Sequence, residues 1–166
     1  MINQKTTLAA VIGGILLFLF DGAFQAIPGI GVRSVERLQT NALTTADFDT
    51  KANRMSYLLT DNTVSFIATQ SSDYYNMPRF FIIEFFTALA IAWLLALLFT
   101  RMKGFGLKDR LLFTVGFALI ASFAIHLPYW NWWGFSSPYT LGVVLKTIVG
   151  WLLVAFIQNR FIFKTR

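Results

Sequence analysis

Four ionisable side chains lie inside stretches of sequence that are otherwise apolar: Asp21, Glu84, His126 and Lys146. Two carboxylates, an imidazole and an ammonium can relay protons, bind a cation, hold a lipid or quinone head group, or carry out general acid–base steps. The other ingredients of catalysis are missing from the sequence. There is no nucleophile motif, no glycine-rich phosphate loop and no metal-ligand spacing around the four. The chain has no Cys, which excludes disulfides, thiolate metal sites and Cys nucleophiles. A single His excludes a haem held by two histidines of one chain and a zinc site built from several imidazoles. No catalytic residue, metal ligand or cofactor is therefore assigned.

The elements that must position these groups follow from composition. The 166 residues are 56% hydrophobic and 13% charged, with 17% aromatic residues and 18 Phe. Soluble domains carry roughly 25% charged residues, and disordered chains are polar and poor in aromatics. What remains is an integral membrane protein, read as one membrane domain over residues 1–166. A span needs about 20 mostly apolar residues. Four segments qualify, at about 7–27, 79–100, 110–127 and 139–159, the first stopping at Pro28 and the third at Pro128. The expected fold is an all-α bundle of four transmembrane helices. The first segment resembles a signal-peptide core after Lys5, but Asp21 and Phe24 stand where small residues are wanted for cleavage, so a retained helix is expected.

Lys and Arg set the orientation. One side holds Lys5, Arg101, Lys103, Lys108, Arg110, Arg160, Lys164 and Arg166 against the single acid Asp109. On the other side Arg33, Arg37, Lys51, Arg54 and Arg79 are matched by Glu36, Asp47, Asp49, Asp61 and Asp73. The basic side reads as cytoplasmic, with both termini inside, in the cytoplasmic (inner) membrane. The pI of 9.9 is explained by this asymmetry, and no nucleic-acid partner is needed. Tyr129, Trp130, Trp132, Trp133, Phe135 and Tyr139 crowd the link between the third and fourth spans. Rings of this kind favour the membrane–water boundary, and they read as an interfacial belt before they read as a ligand cage.

At 1.5 Å per residue the four ionisable groups reach a common depth. Asp21 lies about 20 Å and His126 about 24 Å along spans entered from the cytoplasm, while Glu84 lies about 8 Å and Lys146 about 9 Å into spans entered from outside. Faces agree as well, because four-residue steps share a stripe. Glu84 continues into Ala88, Ala92 and Ala96, and His126 into Ser122, Ala118 and Thr114; Lys146 stands between Gly142 and Gly150. In the first span Ala10 and Gly14 form one such step, and Asp21 and Gln25 another. Small residues let membrane helices approach. The expectation is an outer-leaflet polar cluster of Asp21, Glu84, His126 and Lys146, with Gln25, Ser122 and Thr114 as supporting polar groups. An acid would pair with Lys146, and His126 would hydrogen-bond to an acid.

Residues 29–78 form the one sizeable extramembrane piece, expected to rest as a cap on the outer helix ends. Thr44 and Asp47 have capping-box spacing, which predicts a helix over about 44–54. Ser56–Thr60 and Thr63–Ile67 flank Asp61-Asn62, which predicts a β-hairpin with a two-residue turn.

Ile12-Gly13-Gly14-Ile15-Leu16-Leu17-Phe18 and Leu127-Pro128-Tyr129-Trp130-Asn131-Trp132-Trp133-Gly134-Phe135, followed later by Gly150-Trp151-Leu152-Leu153, resemble small bacterial four-helix inner-membrane proteins. The resemblance covers about a third of the chain. It implies four helices, a short extracytoplasmic segment after the first and a Trp-rich turn before the last, with no activity and no functional residue to carry over. Where Asp21 stands, that pattern more often has an uncharged polar residue.

A buried ion pair can simply fix helix register, or snorkel to the surface. The functional reading taken first is a non-enzymatic accessory or structural subunit of a membrane assembly, with the bilayer, other membrane subunits or further copies of the chain as partners. The alternatives are a small transporter or ion or proton conduit using the cluster, and an outward-facing lipid- or quinone-binding protein or enzyme.

Overall fold

A computed structural model describes residues 4–31, 54–59, 62, 64–70, 72–74, 76–102 and 104–163. The chain divides into two compact units, Met1–Val35 with Phe81–Arg166, and Glu36–Phe80.

The larger unit contains four helices: α1 (Gln4–Phe24), α2 (Met77–Arg101, from Phe81 onward), α3 (Leu107–Trp133) and α4 (Ser137–Ile157). Each is long and apolar enough to cross a membrane. An apolar surrounding leaves backbone N–H and C=O groups no partner outside the segment, so a helix is the state in which such runs satisfy themselves. Hydrocarbon is as apolar as Leu, and such helices associate through close packing between small residues. The interior follows that rule. Ala9 and Ala10 of α1, Ala88, Ala92 and Ala96 of α2, Ala118 of α3 and Ala155 of α4 are all buried. Leu17, Leu95 and Val154 fill the remaining space, with Phe18, Ile91 and Trp151 packed against them.

Two glycines, one in α1 and one in α4, stand where a side chain would collide with a neighbouring helix. A Cβ on Gly14 would come within 2.8 Å of the Leu89 backbone, and one on Gly150 within 2.8 Å of Leu17 and 3.0 Å of Phe20. Phe18 adds edge-to-face contacts with Phe81 and Phe85 at centroid separations of 6.4 and 5.5 Å. The outward faces carry Leu19, Phe86, Leu94, Leu112, Ile120 and Leu141, all exposed.

Local chemistry sets the helix ends. The Asp109 carboxylate accepts the Gly106 N–H at 3.2 Å, and its charge favours the positive end of α3. Gly134 ends α3 at φ 66°, a left-handed conformation that glycine adopts without steric cost, and the Phe135 N–H closes back on Tyr129 O at 3.3 Å. Ser136 Oγ accepts the Tyr139 N–H at 3.3 Å at the start of α4, where Pro138 occupies the first turn. At its other end α4 widens into a π-turn, Gln158–Ile162, closed by Phe163 N–H to Gln158 O at 2.8 Å.

Of the helix boundaries that differ from the sequence expectation, two in α3 move named residues out of loops. The third helix does not stop at Pro128 but continues to Trp133. Proline's fixed φ is itself helical, and although Pro128 loses an N–H bond and its ring crowds the carbonyl four residues back, at a cost of about 3 kcal/mol, α3 continues to its Gly134 cap. Trp130, Trp132 and Trp133 are therefore on the last turns of α3 and not in a loop. Helix α3 also begins at Leu107, so Lys108 and Arg110 belong to the helix and not to a basic loop.

In the smaller unit β1 (Arg54–Leu59) and β2 (Val64–Thr69) form an antiparallel pair, with Arg54 opposite Thr69 and Leu59 opposite Val64. The helix expected over 44–54 lies outside the described residues up to residue 53, and Arg54 opens β1. A 3₁₀ turn, Ser72–Tyr74, follows. Asn76 Oδ1 accepts the Arg79 N–H at 3.2 Å as α2 begins, and the Arg79 guanidinium lies 4.3 Å from the centre of the Tyr74 ring.

Candidate functional site

Asp21 occupies the last turn of α1. Glu84, His126 and Lys146 each stand two to three turns inside the same end of α2, α3 and α4. The small-residue stripes set these faces. Ala88, Ala118, Ser122, Gly142 and Gly150 are buried, so the ionisable residue on each stripe is turned inward. All four ionisable groups line one cavity of about 200 Å³.

Lys146 Nζ lies 3.7 Å from Asp21 Oδ1 and 3.9 Å from Glu84 Oε1. Direct ammonium–carboxylate hydrogen bonds run at about 2.7–2.9 Å, so the ammonium is held between two carboxylates without touching either. The two acids differ in access. The Asp21 side chain is 12% exposed and that of Glu84 is 41%, with Lys146 at 21%. His126 shares the cavity but makes no hydrogen bond to either acid among the described residues, which departs from the expected arrangement.

Ser122 stands one turn below His126 on α3 and is fully buried, and its hydroxyl has no hydrogen-bond partner among the described residues. A buried polar group left unsatisfied costs about 1–3 kcal/mol. The other two hydroxyls of the cavity are spent locally. Thr87 Oγ1 donates to Ile83 O and Thr147 Oγ1 to Val143 O, both at 2.9 Å. The site therefore presents unspent donors, Ser122 and the Lys146 ammonium, beside two carboxylates.

Next to this cavity lies an apolar cleft of about 260 Å³ between α2 and α3, with Leu94, Leu95 and Leu98 on one wall and Phe117 and Ile120 on the other. Ile91, Ala121 and Trp151 line both volumes. From Glu84 to Leu98 the crevice follows α2 for about 21 Å at 1.5 Å per residue.

Two expected supporting groups stand elsewhere. Gln25 lies beyond the end of α1 and is exposed. Thr114 is buried toward the opposite end of α3, where its hydroxyl donates to Arg110 O at 2.8 Å. Among the aromatics, Trp130 Nε1 donates to Ser137 Oγ at 3.1 Å, and Tyr139 meets Phe135 edge to face at 5.2 Å. Trp132 is 71% exposed.

Sequence reasoning missed a second polar centre at the other end of the bundle. Arg110, counted there among the solvated basic residues, is only 3% exposed. It donates to Asn159 Oδ1 at 2.7 Å, to Met102 O at 3.0 Å and to Phe163 O at 3.4 Å, and it lies 5.6 Å from the centre of the Phe99 ring. Gln158 is fully buried, and its Nε2 donates to Ala9 O of α1 at 3.1 Å and to Ala92 O of α2 at 2.9 Å. The available signal was the pair Gln158-Asn159, two amides following an apolar run. No family model, curated protein or solved structure matches the chain, so the functional argument rests on this geometry.

Proposed function

We propose that this chain is a multi-pass membrane protein that binds an amphiphile between α2 and α3. The head group occupies the cavity of Asp21, Glu84, His126 and Lys146, and the tail follows the apolar cleft below it. With both termini cytoplasmic, as the Lys and Arg distribution implies, the head site lies in the outer leaflet. One observation carries the reading: a charged cavity with unspent hydrogen-bonding groups adjoins an apolar cleft, and the two share Ile91, Ala121 and Trp151 as lining. Pockets of this kind combine an apolar lining with a few convergent polar groups.

The accessory-subunit reading needs no such cavity, and a pair that only fixed helix register would be expected at direct hydrogen-bonding distance. A conduit would need polar groups to continue past the cavity, whereas the walls below Ile91 are Leu94, Leu95, Leu98, Phe117 and Ile120.

Trp151, at the junction, is the reporter for the test. In full-length protein with Trp93, Trp130, Trp132 and Trp133 replaced by Phe, phospholipids with brominated acyl chains should quench Trp151 at low mole fraction and with saturation. Ala121→Phe, which fills the junction, should abolish the saturable component. Quenching that rises only in proportion to bulk lipid, and is the same in Ala121→Phe, would overturn the reading.

A further inference from the structure

We infer that the head group accepted by this cavity is a zwitterion, a primary ammonium joined to a phosphate, carried on a membrane phospholipid. This rests on the amphiphile reading above and narrows it to a ligand class.

The charge inventory is the first ground. The cavity holds two carboxylates, one ammonium and the His126 imidazole. A purely anionic head would gain Lys146 and face both carboxylates. A neutral head would leave the charges uncompensated in a medium where each is expensive. A purely cationic head would satisfy Glu84 but leave Lys146 and Ser122 without a close acceptor, whereas a head carrying both signs gives Glu84 a cation and Lys146 an anion and leaves Asp21 with Lys146.

Geometry assigns the partners. The Lys146 ammonium has three protons to donate, and its two acceptors stand at 3.7 and 3.9 Å, too far for direct bonds. A phosphate oxygen supplies the missing acceptor, and the unpartnered Ser122 hydroxyl supplies a neutral donor to the same group. Of the two acids Asp21 is the more enclosed and Glu84 the more open. Asp21 stays with Lys146, and Glu84 receives the incoming ammonium.

Size and lining set the limits of the class. About 200 Å³ is room for roughly six waters at about 30 Å³ each, or for one compact head group. A trimethylated ammonium has no N–H to give Glu84 and is recognised by stacked aromatic faces. Here Trp151 lies where the cavity meets the apolar cleft, and among the described residues no aromatic cage surrounds the acids.

The experiment is head-group competition on the full chain. Protein is incubated in nanodiscs with equal amounts of phosphatidylethanolamine, phosphatidylcholine and phosphatidylglycerol of matched acyl chains, released, and weighed with its retained lipids by native mass spectrometry. Phosphatidylethanolamine should be retained about tenfold over either competitor, the size expected of one charge-assisted hydrogen bond. On the unaltered protein, retention should fall stepwise as the amine is methylated once, twice and three times. Glu84→Gln should reduce phosphatidylethanolamine to the level of phosphatidylcholine, and Lys146→Met should weaken all three lipids. Retained lipid with phosphatidylglycerol or phosphatidylcholine equal to or above phosphatidylethanolamine overturns the zwitterion while leaving the crevice reading intact. No retained lipid of any class overturns both.

Discussion

Ser122 and Lys146 make opposite predictions from the same cavity. The Ser122 hydroxyl is buried without a partner, so Ser122→Ala removes an unsatisfied group. We expect it to stabilise the lipid-free protein by about 1 kcal/mol, read as a higher midpoint in detergent unfolding, while weakening head-group retention. A mutation that raises stability and lowers binding is the signature of a binding group. If Ser122→Ala lowered both, the hydroxyl would be a structural partner. Lys146→Met leaves Asp21 facing Glu84 with no cation between them. Breaking a fully buried pair costs about 3–5 kcal/mol. The loose geometry and partial exposure here reduce that to about 1–2 kcal/mol, and Asp21→Asn added to Lys146→Met should recover part of the loss in the same assay. The four ionisable residues were legible in sequence because an ion in an apolar run is conspicuous, and depth counting put them at one level. Their contacts were not legible. Whether two groups on one level stand 3 or 4 Å apart depends on rotamers and helix separation, which no spacing rule encodes, and that ångström divides a locked ion pair from an open cavity.

At the scale of the helices, the glycines separate packing from propensity. Ala exceeds Gly in helix propensity by about 1 kcal/mol, so an open site should gain from Gly→Ala. A Cβ at Gly116 meets nothing within 4 Å, and Gly116→Ala should be neutral to stabilising. The same Cβ at Gly14 comes within 2.8 Å of Leu89 backbone, which cannot rotate away, so α1 and α2 must separate. Gly14→Ala should cost about 1–3 kcal/mol, and the two variants should move the unfolding midpoint in opposite directions. Equal effects would show that α1 and α2 are not in close contact at Gly14. Helix number and inward faces were legible because apolar length and small residues at four-residue steps are one-dimensional signals. The far end was not. Arg110 reads as one more basic residue in a positive stretch, and its burial depends on Asn159 and the π-turn, a backbone feature with no marker beyond two adjacent amides. Pro128 misled for the opposite reason: it is a conspicuous helix-breaker by its lost N–H and crowding ring, yet α3 continues through it.

Across the whole bundle the two polar centres are unlike. Along α4, Lys146 and Gln158 are about 18 Å apart at 1.5 Å per residue. The Gln158 end is tied together, with one side chain bridging α1 and α2 and Arg110 bonded to three partners, while Arg110 Nε and Gln158 Oε1 find no partner among the described residues. At the Lys146 end the ion pairs are long and a cavity opens between α2 and α3. The proposed ligand would enter such a bundle from the leaflet at its open end, and the charge asymmetry predicts which leaflet that is. Basic residues dominate the Arg110 end, so that end should face the cytoplasm. Because the chain has no Cys, single cysteines report this cleanly. Asn131 and Phe105 are exposed at opposite ends of α3. With a membrane-impermeant maleimide, Asn131→Cys should label in intact cells and Phe105→Cys only after the membrane is opened. The reverse pattern would put the head-group cavity in the inner leaflet and require its lipid to come from the cytoplasmic side. Labelling of both sites in intact cells would contradict the four-span topology itself, because the α3 segment between them could then not cross the bilayer.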